Sequence, residues 1–140
     1  MSDRLTLKIL TPQGVAYDAD VDAFVVPTEQ GPLMIEPNYT NLIAALSPSG
    51  VLRVSKGKQN QYFAIFGGVL RVNHLSGCEI YTEEINDGYE IDMARAIAAR
   101  DRNLDLIEKK EPDTDIALAR FKLAKALTRI ETKTLSEGSH

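Results

Sequence analysis

Tryptophan is absent from this sequence, cysteine occurs once and histidine twice. No apolar run reaches the roughly 18 residues needed to cross a bilayer. Each scarcity closes off a class of protein. The single thiol, Cys78, excludes an intramolecular disulfide framework and a multi-cysteine zinc site, and a reducing compartment is the natural setting. With Gly77 before it and Glu79, Ile80 and Tyr81 after it, Cys78 reads as a small strand filler rather than a nucleophile. His74 sits in a turn pattern and His140 ends the chain, too few histidines for a metal enzyme built on a barrel mouth. No Gly-x-x-x-x-Gly-Lys-Ser/Thr loop and no metal-ligand cluster is present, so the expectation is a non-enzyme with no catalytic residues and no metal. Aromatics make up only 6%, which leaves the core to aliphatic side chains within a 44% hydrophobic total. A net charge of −4 argues against nucleic acid as a partner. Met1, Ser2, Asp3 and Arg4 lead directly into an alternating segment, so no signal peptide is expected.

What the chain does have is β-pattern in front and helix pattern behind. Residues 62–72 form the longest nearly uncharged run of the front part, with bulky β-formers on both sides of Gly67 and Gly68. Apolar residues on both faces predict strands covered on both faces, and the glycine pair marks a corner or a close backbone approach. Around this run, Leu5, Leu7 and Ile9 alternate with polar neighbours. Further short strands over 15–17, 21–26, 51–54 and 79–82 are separated by turn signals. Asp18, Asp20 and Asp22 alternate, but the Gly and distant Glu of a calcium loop do not follow them, so they read as the solvated face of a strand. Gly31 and Pro32 predict a loop that holds Leu33, Met34, Ile35, Pro37 and Asn38. The whole predicts an all-β sandwich or barrel-like domain to about residue 85, the front unit being taken as 1–86.

After a linker at 87–91 the residues become helix formers, and a two-helix unit is expected over 92–135 with a disordered tail at 136–140. Asp92 is placed to cap the first helix, whose apolar face is Met93, Ile97, Leu104 and Ile107. Pro112 separates the helices, and Asp113, Thr114 and Asp115 offer caps for the second. There Ile116, Ala119, Leu123, Leu127 and Ile130 make an apolar stripe. The loop is short enough for an antiparallel hairpin, and the stripes are narrow and alanine-rich, as suits a weakly held, detachable element. Residues 1–92 carry 12 acids and 6 bases, whereas 93–140 carry 8 acids and 10 bases. Arg120, Lys122, Lys125, Arg129 and Lys133 concentrate that positive charge on the second helix.

Five motifs in register over about 90 residues resemble the epsilon subunit of F-type ATP synthases. They are the opening from Leu7 to Pro12; Gly31, Pro32, Leu33, Met34, Ile35, Glu36 and Pro37; Gly50, Val51, Leu52, Arg53 and Val54; Gly67, Gly68, Val69, Leu70, Arg71 and Val72; and Ile91, Asp92, Met93, Ala94, Arg95 and Ala96. The resemblance implies a flattened, antiparallel sandwich of about ten strands followed by a C-terminal helical hairpin. It also implies a rotor role in the central stalk, coupling the gamma subunit to the membrane ring of c subunits, peripheral to the cytoplasmic face of the inner membrane. The segment with Gly31, Leu33, Met34, Ile35, Glu36 and Pro37 would face ring or stalk. Here Met34 replaces a family glycine, and Asn38, Tyr39, Thr40 and Asn41 replace a Gly-His-Ala-Pro stretch.

The resemblance implies two further sites. Regulatory ATP, with no obligatory cofactor, is the ligand some relatives bind through positions occupied here by Asp92, Arg95, Ala96, Arg102, Lys125 and Arg129. Asn86 stands where binding relatives carry Glu, and Lys125 where they carry Arg. The plainer reading is that Asp92 caps a helix and Arg95 packs on the sandwich. The basic face of Arg120, Lys122, Lys125, Arg129 and Lys133 reads either as a solvated helix surface or, in an extended hairpin, as an inhibitory contact to the alpha and beta catalytic subunits. A free-standing ATP sensor outside any rotor is the competing functional class.

Overall fold

A computed structural model describes residues 4–138. Ten strands form two five-stranded sheets, in the orders β2-β1-β9-β8-β5 and β10-β7-β6-β3-β4. The strands are β1 (Leu5–Thr11), β2 (Gly14–Val21), β3 (Ala23–Thr28), β4 (Gly31–Ile35), β5 (Leu42–Ala45), β6 (Gly50–Lys56), β7 (Gln59–Phe66), β8 (Val69–Asn73), β9 (Gly77–Tyr81) and β10 (Glu84–Asp87). A short 3-10 turn (Gly88–Glu90) leads to α1 (Met93–Lys109) and α2 (Ile116–Gly138). This is the sandwich-plus-hairpin architecture that the resemblance implies, and it decides for a sandwich over a barrel.

The core lies between the sheets because each strand turns its alternate residues inward. Leu7 and Ile9, Phe24 and Val26, Leu52 and Val54, Phe63 and Ile65, Leu70 and Val72, and Cys78 and Ile80 meet there, all buried. The Tyr17 and Phe63 rings add an edge contact at 5.6 Å between centroids. Burial lifts the Cys78 thiol to a pKa of about 11, as befits a filler with no partner for its charged form.

The glycine pair is the corner at which the chain leaves one sheet for the other. β7 ends at Phe66 and β8 begins at Val69, each in a different sheet. Gly67 and Gly68 have φ of 72° and 121°, in the range that favours glycine. A Cβ on Gly68 would stand 1.8 Å from the Tyr81 carbonyl oxygen. Thr82 ties the corner down by donating its hydroxyl to the Gly67 carbonyl at 2.7 Å.

Three expectations need correction. Gly31–Ile35 is a strand, not a loop: Glu29 and Gln30 alone make the turn, Gly31 takes φ 111°, and Pro32 faces Pro27 across an edge where a missing N–H is tolerated. The doubly covered run is β7 only. Phe63 and Ile65 face the other sheet while Ala64 and Phe66 lie under the hairpin, and β8 alternates with Val69 and Arg71 exposed. The helix also continues through the expected tail as far as Gly138, with Ser136 buried; residues 139 and 140, like 1–3, lie outside the described residues.

Candidate functional site

The hairpin reaches the sandwich chiefly through α2, which packs on β6, β7 and the 3-10 turn, while α1 packs mainly on α2. The caps are those expected of short acidic side chains. Asp92 accepts from the Arg95 N–H at 3.1 Å, and Asp115 from the Leu118 N–H at 3.0 Å. Lys110, with φ 48°, ends α1 two residues before Pro112.

The burial of α2 follows the apolar stripe in part: Ala119 is buried and Ile116, Leu123 and Ile130 are half-buried, but the other fully buried positions lie off it. Ala119, Ala126, Thr128, Thr132 and Ser136 are the buried residues of α2. Leu127, placed on the stripe, is 48% exposed, as are Phe121 and Leu118 to similar degrees. Of the α1 face, Leu104 is exposed and Met93, Ile97 and Ile107 half-buried, while Ala96 and Asn103 are buried. The reason is closeness of approach. A Cβ on Gly88 would lie 1.8 Å from Ser136 Oγ and 2.8 Å from the Tyr62 carbonyl oxygen, so only small residues fit between helix and sandwich there. Thr132 satisfies its hydroxyl by donating to the Thr128 carbonyl, one turn back.

Charge fixes the same helix. The Glu84 carboxylate receives Lys125 Nζ on one oxygen and Arg129 Nη2 on the other, both at 2.7 Å. Arg129 Nε donates to Asn86 Oδ1 at 2.9 Å, and Lys133 Nζ donates to the Tyr89 carbonyl at 2.8 Å. Beneath the two cations lies the Phe66 ring, 4.7 Å from Lys125 Nζ and 4.9 Å from Arg129 Cζ. Burial alone would raise the Glu84 pKa. The hydrogen bond and charge of Lys125, with those of Arg129, outweigh it and hold the carboxyl below its ordinary value.

The expected basic face is therefore divided. Lys125, Arg129 and Lys133 are spent on the sandwich, and only Arg120 and Lys122 point fully to solvent. The expected nucleotide set is divided too. Asp92, Arg95, Ala96 and Arg129 line a cavity of about 490 Å³ between β10, α1 and α2. Lys125 lies beside it through Glu84, whereas Arg102 is exposed and does not line it. Glu84, Asp87, Glu90 and Asp92 set four carboxylates around that cavity against the guanidiniums of Arg95 and Arg129. Asn86 also lines it. Glu84 was outside the sequence reading, since nothing local marks a strand carboxylate as the partner of residues 41 and 45 positions later.

Two other surfaces stand apart from the hairpin. On the outer face of the first sheet Ala45, Val69 and Tyr81 are neighbours in register, with Ile43, 72% exposed, beside them. Sequence reading assigned this run to the core; the signal it passed over is that β8 alternates. At one end of the sandwich, Asn41 Oδ1 accepts from the His74 N–H at 3.0 Å, which brings the 36–41 loop against the β8–β9 turn. Of the segment expected to face ring or stalk, Ile35 is in the core, Leu33 packs against it, Gly31 and Pro37 are half-buried, and Met34 and Glu36 are exposed. Leu75, 86% exposed, extends the apolar character of that end. Among the described residues no group of acids, histidines and cysteines is arranged to hold a metal, and no helix is long and apolar enough to cross a membrane.

Known proteins resemble this chain over most of its length. Residues 4–87 match the family model described as ATP synthase, Delta/Epsilon chain, beta-sandwich domain. The ATP synthase epsilon chain of Bacillus licheniformis is 33% identical over 91% of this chain and 95% of its own length. That of Bacillus subtilis is 34% identical over 89% and 93%. Among solved structures, a chain in the OSCP/F1/c-ring assembly of the Euglena gracilis mitochondrial ATP synthase superposes with a TM-score of 0.75 at 18% identity, covering 96% of this chain and 83% of that one. A chain of the Tetrahymena thermophila central stalk and c-ring gives a TM-score of 0.53 at 19% identity over 93% of each. At such identities the structural likeness speaks for the fold.

Proposed function

Because the chain belongs to the epsilon-chain family of ATP synthases, we propose that it is a non-catalytic central-stalk subunit combining a rigid coupler with a movable arm. The sandwich joins the gamma subunit to the ring of c subunits. The hairpin, when extended, meets the alpha and beta catalytic subunits and restrains ATP hydrolysis. In this reading the protein works peripherally, at the cytoplasmic face of the membrane that carries the ring.

The observation that carries the proposal is the character of the α2 interface. The fully buried residues of α2 are small or hydroxyl-bearing, and its cations reach the sandwich through ion pairs over the Phe66 ring. Burying a large aliphatic side chain contributes about 1.5–3 kcal/mol, and few are committed here, so the helix is a separable unit. The outer apolar strip of Ile43, Val69 and Tyr81 lies on the other sheet and suits a permanent partner, which we assign to gamma. The end with Met34, Glu36 and Leu75 is assigned to the ring.

The test is ATPase activity of an epsilon-depleted catalytic head titrated with the full chain and with a version ending at Tyr89. Inhibition by the full chain, and binding without inhibition by the short one, is the expected result. Binding of neither to a gamma-containing stalk sinks the assignment. A regulatory nucleotide is a second reading, supported by the meeting of Asp92, Arg95, Ala96 and Arg129 at one cavity. Repeating the titration with and without a non-hydrolysable ATP analogue during preincubation separates it from a purely mechanical arm.

A further inference from the structure

The Glu84 carboxylate treats Lys125 and Arg129 as a bound anion would. Each oxygen takes one cation at 2.7 Å, and the pairs join residues 41 and 45 positions apart. The Phe66 ring beneath gives both cations a shared apolar floor, and their side chains are only 21% and 28% exposed, so neither swings freely into solvent. The adjoining cavity is also lined by Asp87, Glu90 and Asp92 with one other guanidinium, Arg95, so its lining carries no surplus of positive charge. Those carboxylates, of which Glu90 and Asp92 are exposed, repel an incoming phosphate.

We propose that Glu84 is an internal counter-anion that latches α2 to the sandwich, holding Arg129, which lines this cavity, and Lys125 beside it, the two cations that a phosphate-bearing ligand there would use. The hairpin accordingly docks without nucleotide, and triphosphate binds poorly while Glu84 is ionised and in place. This rests on the reading of the hairpin as a movable arm, and it names what controls the movement.

The test uses the full chain with spin labels on cysteines introduced at Lys58 and Glu131, both exposed; buried Cys78 stays unlabelled. Inter-label distances are measured at low and high salt, with and without MgATP, in the parent and in Glu84→Gln; calorimetry follows MgATP binding. In the parent the docked distance dominates at low salt, and MgATP leaves it unchanged. In Glu84→Gln the undocked fraction rises roughly tenfold, the scale of one charge-assisted hydrogen bond at a partly exposed site. MgATP binds that variant at least tenfold more tightly and restores docking. Lys125→Met, placed on the helix and so independent of strand folding, raises the undocked fraction in the same direction without gaining affinity for MgATP. If the parent needs MgATP to dock, or if Glu84→Gln docks and binds as the parent does while salt opens both, the latch is wrong. If no variant and no salt concentration gives an undocked population, the movable arm fails first and takes the latch with it.

Discussion

Replacing Gly88 by alanine tests how tightly the arm is seated. The glycine's φ is not positive, so the backbone itself accepts a side chain. The obstacle is space: the new methyl would stand 1.8 Å from Ser136 Oγ, 3.0 Å from Ser136 Cβ and 2.8 Å from the Tyr62 carbonyl oxygen. Rotating the serine hydroxyl away relieves the first contact, but the other two remain. Overpacking of this kind costs about 1–3 kcal/mol, equivalent to roughly 5- to 150-fold in the docking equilibrium. Most of the strain is relieved when the last turns of α2 lift away, because β7 is paired on both sides whereas the helix end is held to the sandwich by side-chain contacts alone. Amide hydrogen exchange read by mass spectrometry is the assay. The α2 amides from Thr128 onward, together with those of the 3-10 turn, exchange faster by about that factor. The amides of β1, β8 and β9 keep parental protection. Unchanged α2 exchange would mean that the close contact is not felt. Equal loss of protection in β1 and β9 would mean that helix and sandwich unfold as one unit, which removes the physical basis for a separable arm.

Gly68→Ala meets a backbone carbonyl at 1.8 Å and a φ of 121° together, so the sandwich loses about 3 kcal/mol or more, and a thermal melt near that of the parent refutes the corner assignment. Acid weakens docking: the Glu84 pKa is lowered in the docked state, so its contribution is complete above the ordinary value of 4.5 and is lost as pH falls through the lower docked value. An inter-label distance that lengthens below about pH 4.5 in the parent but is flat with pH in Glu84→Gln is the expected signature; parallel curves would assign the effect to other carboxylates. Cys78, its thiol raised to about 11 by burial, fails to react with an aromatic disulfide reagent at pH 8 in the folded protein and reacts fully in urea. Prompt reaction of the folded chain contradicts its place in the core.

The strands were legible where one face is wet, because period-two alternation at Leu5, Leu7 and Ile9 reports the core directly. Of the run 62–72 only the β7 part is doubly covered, with α2 rather than another sheet as its second cover, and the β8 part alternates. Gly31 and Pro32 were misread because both break regular structure in most settings, and only an edge position beside Pro27 makes them compatible with a strand. The apolar stripe of α2 was a partial guide, sound at Ala119 and half-buried at Ile116, Leu123 and Ile130 but exposed at Leu127. Periodicity ranks residues by hydrophobicity, whereas a close helix–sheet approach selects by size, and Ala126, Thr132 and Ser136 are chosen for smallness. The latch was illegible because one glutamate facing cations more than 40 residues away leaves no local pattern.

Sheet order has a bearing on how the protein is made. β1 pairs with β9 in parallel, Leu7 beside Cys78 and Leu10 beside Tyr81, so the first strand waits for the ninth. During synthesis at roughly 5–20 residues per second, β1 and β2 are a lone hairpin with an unsatisfied edge for several seconds. The first sheet closes only after residue 81 has left the ribosome. The hairpin, built from near-neighbour contacts, then forms in a far shorter time. Nascent chains stalled before and after residue 81 therefore differ sharply in protease resistance, a vulnerability set by strand order before the helices exist.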